Sequence, residues 1–222
     1  LILRPMSCLP TKGPEPHKEP AAPPVTEIRG GAFRRLFIPC LLNFLLSVSY
    51  GGLLGFLALY GAEAHLKNIA YFFLFNAVAI VVVRPLSGKI YDRFGPPALL
   101  IPGSLFIVAG LLQLSFASST AALFPAALCY GIGFGSMQPS WQPWMIQSVE
   151  PRQRGTANGM FFNSLDLGGA SGTMILGSIA LDTRYGVLYR YSALAPVCRL
   201  VIYIILLIYK LHNRQKQDTK NL

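Results

Sequence analysis

The sequence predicts an all-α membrane protein with six transmembrane helices, and three observations carry that prediction. Only 13% of the 222 residues are charged and 53% are hydrophobic, whereas about a quarter of a soluble domain is charged. The apolar residues gather in blocks of about 20, the length a helix needs to cross a bilayer core, and the mean hydropathy is +0.47. The basic residues collect at alternate ends of those blocks, as they do where they set orientation in a membrane. Within hydrocarbon such blocks must be helical, because an open strand would leave its backbone polar groups unpaired.

The six expected spans follow in order. Residues 1–35 open with an apolar LIL and continue as a Pro-rich polar stretch, RPMSCLPTKGPEPHKEPAAPPVTEIRGG, whose composition gives an extended linker with no packed core. This opening reads as the end of a preceding helix joined to a central linker, so the chain is expected to be a piece of a longer protein. The spans are then 36–60, 68–90 and 97–117, the short turn SSTAA, 121–148 with Pro125, Pro139 and Pro143 inside it, 155–181, and 191–211. Residues 212–222 form a polar tail. Arg29, Arg34, Arg35, Lys89, Arg93, Arg152, Arg154, Lys210, Arg214, Lys216 and Lys220 fall on one side. Lys67, Arg184 and Arg190 fall on the other, so both ends are expected in the cytoplasm.

This distribution also accounts for the net charge of +10: the basic residues mark loop sides and need no nucleic-acid partner. Cys8, Cys40, Cys129 and Cys198 are scattered with no CxxC spacing, which gives neither a zinc site nor a disulfide framework. His17, His65 and His212 lie in loops or tails and indicate no metal site. There is no Ser-His-Asp arrangement and no GxxxxGK[ST] phosphate loop. The sequence therefore predicts no enzyme, no ATP-driven pump and no cofactor.

One loop carries more than topology requires. In RPLSGKIYDRFGPP, residues 84–97, a charged cluster follows the apolar run YFFLFNAVAIVVV. Gly88 is expected to let the helix end approach a neighbour, and Gly95 to take a turn with positive φ. Asp92 is an acid in a basic loop, suited to the free N–H groups of a nearby helix N-terminus. Arg93 has Glu150 available as a partner. The cluster is either a latch for one conformation or a topology signal with incidental charges.

GKIYDRFG resembles the loop signature of the major facilitator superfamily, which follows the second helix of each six-helix half. VEPRQRGTANGMFFNSLDLGGASG resembles the loop and glycine-rich helix of the family's drug:proton antiporter branch. The likeness runs from Phe33 to Leu211 and implies the C-terminal half of a twelve-helix fold, residues 36–211. Pro96-Pro97 departs from the family, which usually has two basic residues there. The resemblance makes Gly88, Lys89, Asp92, Arg93, Gly95, Glu150 and Arg154 the expected conformational-switch loop.

The same resemblance implies a cavity lined by the first and fourth helices of the half. On the first, Asn43, Ser47, Tyr50 and Leu54 lie at i, i+4, i+7 and i+11 on one helical face. On the fourth, Gln138, Trp141, Gln142 and Met145 lie at i, i+3, i+4 and i+7. Two amides, an aromatic plate and a thioether suit an amphipathic organic substrate; hydrogen bonding between helices is the alternative for each residue. In the fifth span Gly159, Phe162, Asn163, Asp166, Gly169, Ala170 and Thr173 share a face. Asp166 is the one acid well inside an apolar run, where insertion costs about 2.5–3.5 kcal/mol. It is expected either to carry a proton or to pair with Arg84 or Arg199.

Together these imply a proton-coupled secondary transporter in the cell membrane, exporting a small amphipathic compound by alternating access. Its expected partners are substrate, protons, the bilayer and a missing N-terminal six-helix half. The alternative is a non-transporting six-helix fragment or subunit that needs a separate N-terminal half. In a background without cysteines, a cysteine at Ser118 should react with an impermeant thiol reagent from outside the cell, and one at Gln153 only after permeabilisation. Same-side labelling would overturn the six-span arrangement.

Overall fold

Apolar runs of this length have one structure that satisfies their own backbone in lipid, and all regular structure among the described residues is helical. The computed structural model describes residues 30–66, 68–183 and 185–218. Most of the expected linker, with Cys8, His17 and Arg29, lies outside them, as do Lys67, Arg184 and Lys220. The helices are α1 (Gly30–Glu63), α2 (Ala70–Phe94), α3 (Pro97–Ser115), α4 (Thr120–Gln147), α5 (Arg154–Asp182), α6 (Tyr185–Ser192) and α7 (Leu194–Asp218). A single 3-10 turn, Pro151–Gln153, leads into α5.

Among the described residues, five stretches are long and apolar enough to cross a membrane: Arg35–Glu63, Ala70–Phe94, Pro97–Ser115, Thr120–Gln147 and Tyr185–Tyr209. α5 is not among them, although it has 29 residues. Its six glycines, with Asn163 and Asp166, lower its apolarity. The expected last span is also divided: α6 ends at Ser192 and α7 begins at Leu194. Pro196 lies one turn into α7, where its missing N–H and ring break a continuous ladder.

Packing pairs α1 with α5 along their length and sets α2 and α3 against α4, with α6 and α7 against α1 and α3. Leu42, Leu46, Leu53 and Leu57 of α1 face the interior, where they meet a core that includes Ile107, Leu111 and Leu114 of α3 and Tyr130 of α4. Leu74, Val78, Val81, Val82 and Leu86 leave an apolar stripe of α2 exposed, as suits a surface facing hydrocarbon or another helix.

The α1–α5 seam depends on glycine. α5 turns Ala157, Phe161, Ser164, Gly168, Gly172 and Leu176 inward, a spacing of three and four that keeps one face in contact. A Cβ at Gly168 would stand 2.5 Å from the Phe44 carbonyl oxygen, and one at Gly172 would run into the Val48 carbonyl. The backbones therefore approach as small-residue helix pairs do in membranes.

The two ends of the bundle are held differently. At the end away from the basic loops, the Tyr60 hydroxyl lies 2.8 Å from the carbonyls of both Leu114 and Ala117. Ser115 Oγ donates to the Gly186 carbonyl at 2.7 Å and accepts from Arg190 Nε at 2.9 Å. The Arg190 guanidinium lies over the Phe116 ring. The Tyr185 N–H donates to Glu63 Oε2 at 2.8 Å, which gives the start of α6 an acidic partner at its positive dipole end.

Gly168→Val should destabilise the chain by about 1–3 kcal/mol or more, the usual cost of overpacking. The Cβ of Gly159 would meet nothing within 4 Å, so Gly159→Ala should be neutral or stabilise by up to about 1 kcal/mol. Thermal melting of the purified chain in detergent checks both.

Candidate functional site

The polar residues of α1, α4 and α5 meet at two levels of the bundle. Nearer the basic loops, Gln142 of α4 donates through Nε2 to Asn158 Oδ1 of α5 at 2.7 Å. Trp141 donates through Nε1 to the Pro39 carbonyl of α1 at 3.2 Å. Further along, Asn43 Nδ2 donates to Ser164 Oγ at 2.8 Å and to the Phe161 carbonyl at 3.2 Å. Beyond that, Tyr50 of α1 stacks on Phe134 of α4 with ring centroids 4.5 Å apart and planes 13° apart. Phe134 continues the stack onto Tyr130 at 6.1 Å.

The expected α1 stripe therefore divides. Asn43 and Ser47 are buried against α5, where Ser47 packs on Gly168. Tyr50 is half-buried towards α4, and Leu54 is exposed. Helical spacing assigned the four residues to one face, but α5 covers half of that face. On α4, Trp141 and Met145 are buried in the core while Gln138 and Gln142 are half-buried. Gln138 Oε1 is buried with no hydrogen-bond partner among the described residues, which leaves one strong acceptor on this face for another group.

The partly open set between α1, α4 and α5 is thus Tyr50, Phe134, Gln138, Gln142 and Asn158. Phe134 and Asn158 were not anticipated from sequence. Phe134 stands one helical turn before Gln138, so the stripe could have been extended to it. Asn158 sits in the RGTANG segment, which reads as a loop opening a glycine-rich helix and not as part of the cavity.

Asp166 does not pair with either arginine. α5 turns its Ser164–Gly168–Gly172 face onto α1, and so Asp166, Asn163, Phe162, Gly159 and Ala170 lie exposed on an adjoining face. Arg84 is exposed on α2. Arg199 is fully buried on α7, with its guanidinium 4.6 Å from the centroid of the Trp141 ring.

In the loop after α2, Gly95 takes φ +74° and its N–H donates to the Tyr91 carbonyl at 2.8 Å, ending the helix where a side chain would be strained. Gly88 has open space where its Cβ would be, so it permits no close approach within the described residues. α3 starts at Pro97 without a side-chain cap, and Asp92 lies exposed instead of capping it. Arg93 lies over the adjacent Phe94 ring at 5.3 Å and not against Glu150. Lys89, Glu150 and Arg154 are exposed as well. Among the described residues, no group of three or more His, Cys, Asp or Glu is placed to hold a metal ion.

A family model described as Major Facilitator Superfamily matches residues 3–173, more than half of the chain. The chain is 28% identical over 179 residues to an MFS-type transporter of Aspergillus fumigatus, covering 75% of this chain and 39% of that protein. It is 29% identical over 130 residues to the multidrug resistance protein MdtH of Aeromonas salmonicida, covering 58% of this chain and 32% of the relative. It is 26% identical over 110 residues to the tetracenomycin C resistance and export protein of Streptomyces glaucescens, covering 48% and 20%. The crystal structure of a peptide transporter POT mutant with alafosfalin superimposes with a TM-score of 0.64 at 19% identity, over 77% of this chain and 37% of that one. The last likeness is one of fold. The chain spans about two fifths or less of the length of these proteins.

The Asn43 contacts are directly testable. Asn43→Ala should cost about 1–3 kcal/mol, because a buried hydrogen bond is lost and Ser164 loses a donor. Ser164→Ala should cost less, and the double variant should fall short of additivity. Chemical or thermal denaturation of the three variants checks this; additive losses would mean that the two side chains do not interact.

Proposed function

The chain belongs to the major facilitator superfamily, and we propose that residues 36–211 form the C-terminal six-helix half of a proton-coupled exporter in its drug:proton antiporter branch. The family is one of membrane transporters and not of enzymes. The observation that carries the reading is the family match over residues 3–173. Two relatives named for multidrug resistance and tetracenomycin C export support efflux of a small amphipathic compound.

In this reading α5 also crosses the membrane, as the fifth of six spans. Its packing along the whole of α1 supports that, since a membrane helix rich in small residues is held by close contact more than by apolarity. Residues 1–35 are the central linker with the end of a preceding helix, and 212–222 are the tail. Both ends face the cytoplasm of a cell-membrane protein. The Tyr50–Phe134 stack and the amides Gln138, Gln142 and Asn158 bind substrate: flat apolar surface with a few hydrogen-bonding groups suits such a ligand. Trp141 and Met145 support them from behind. Gly88, Lys89, Asp92, Arg93, Gly95, Glu150 and Arg154 act as the switch loop, and their exposure leaves them free to engage the other half.

Asp166 carries the proton. Its exposure without an arginine partner favours this role over a structural ion pair, because a carboxylate in a span ordinarily faces a partner or a cavity. A second reading is a subunit inactive without a separate N-terminal half.

Asp166→Asn should melt at the same temperature as the parent, lose proton-driven transport and keep downhill exchange. The assay uses vesicles containing the chain, alone or with an N-terminal half supplied in trans, an imposed proton gradient and a lipophilic fluorescent dye. Activity only with the added half supports the subunit reading. Unaltered proton-driven transport in Asp166→Asn removes it as the carrier, and a lowered melting temperature restores the structural role.

A further inference from the structure

Arg199 is the largest fully buried side chain among the described residues, at 1% exposure, and the transport scheme above gives it no task. Its guanidinium carbon lies 4.6 Å from the Trp141 ring centroid, and Nη1 lies 3.3 Å from the sulfur of Met137. Nε and Nη2 have no hydrogen-bond partner among the described residues. The cation is therefore held by an aromatic face and a thioether, without a carboxylate. Stability alone is a poor reason for such a group. Replacing a buried charge with a well-packed apolar side chain is often neutral or stabilising.

What the guanidinium does hold is the indole. Trp141 stands between Pro139 and Pro143, both inside α4. Each proline removes a backbone N–H and frees the carbonyl four residues earlier, so the ladder of α4 is interrupted on both sides of this side chain. The helix backbone by itself fixes the direction of Trp141 less firmly here than in an unbroken helix. Two contacts make up for that. The indole N–H donates to the Pro39 carbonyl of α1, and Arg199 covers the ring from α7. Trp144 meets the indole edge-on at 4.9 Å from the same helix.

We infer that Arg199 is a positioning residue: it presses the Trp141 indole against α1 and so fixes the proline-broken segment of α4 that carries Gln138 and Gln142. A planar cation suits this better than an ammonium, because it stacks on the ring as well as attracting it. The value of this for substrate binding rests on the transport reading; the clamp itself is measurable without any substrate.

The test uses fluorescence, since the chain has two tryptophans and Trp144→Phe leaves Trp141 as the sole reporter. The full chain in lipid nanodiscs is titrated with acrylamide. Arg199→Met in this background should raise the Trp141 quenching constant about twofold or more as the ring loses its cover, while the melting temperature stays level or rises. Arg199→Lys should fall between Met and the parent. Tyr189→Phe, at another buried tyrosine facing α1 and α3, should leave quenching unchanged. Unchanged quenching and emission in Arg199→Met overturn the clamp, as does an equal rise in Tyr189→Phe, which would mean general loosening. Should Arg199→Met fail to fold, Arg199→Gln carries the same comparison with the same two outcomes. Loss of dye transport with an intact clamp would count against the transport reading alone.

Discussion

The close approach of α1 and α5 sets the rest of this bundle. Where carbonyls of Phe44 and Val48 lie against the Cα positions of Gly168 and Gly172, α5 has almost no rotational freedom about its axis. Leucines cannot drive that contact in lipid, since the surroundings are as apolar as they are. Fit between backbones and a few interhelical hydrogen bonds must supply it. With the glycine face committed to α1, Asn43 meets Ser164, and the neighbouring face with Asn163 and Asp166 is turned outward. The orientation of Asp166 thus follows from where glycines occur four residues apart.

Much of the fold is legible in the sequence because hydropathy decides it. The expected spans 68–90, 97–117 and 121–148 lie close to Ala70–Phe94, Pro97–Ser115 and Thr120–Gln147, and the small-polar face of α5 was read as a face before its surroundings were known. Periodicity names the residues that share a side but not the helix that covers it. Asn43 and Ser47 accordingly read as cavity residues and are packed against α5, whereas Phe134 carries only a weak signal, its place one turn before Gln138, and its role shows in the stack with Tyr50. The division of the last span at Ala193 was missed for a related reason: Pro196 has a local effect, while its neighbours are apolar enough to hide the break.

Buried polar groups follow a common logic across the bundle. Tyr60, Gln142, Trp141 and the Asn43 Nδ2 group each bond to another helix, which both pairs a costly donor and fixes a register that apolar contacts would leave free to slide. Tyr130, Tyr189 and Ser192 are buried without a hydrogen-bond partner among the described residues. Tyr189 meets the Tyr60 ring edge-on at 5.3 Å, and Ser192 lies close to Gly52 of α1.

The fastening of Tyr60, Glu63, Ser115 and Arg190 at one end has a mechanical consequence. The opposite end has Pro139 and Pro143 inside α4, where the backbone ladder is interrupted and side-chain contacts from Trp141, Gln142, Cys40 and Arg199 reach across to neighbouring helices. Stiffness is therefore graded along the bundle, and an applied load is absorbed mainly at the softer end. The riveted end serves as the fulcrum, so a small flexure near Gln138 becomes a larger excursion of the basic loops than of Tyr185.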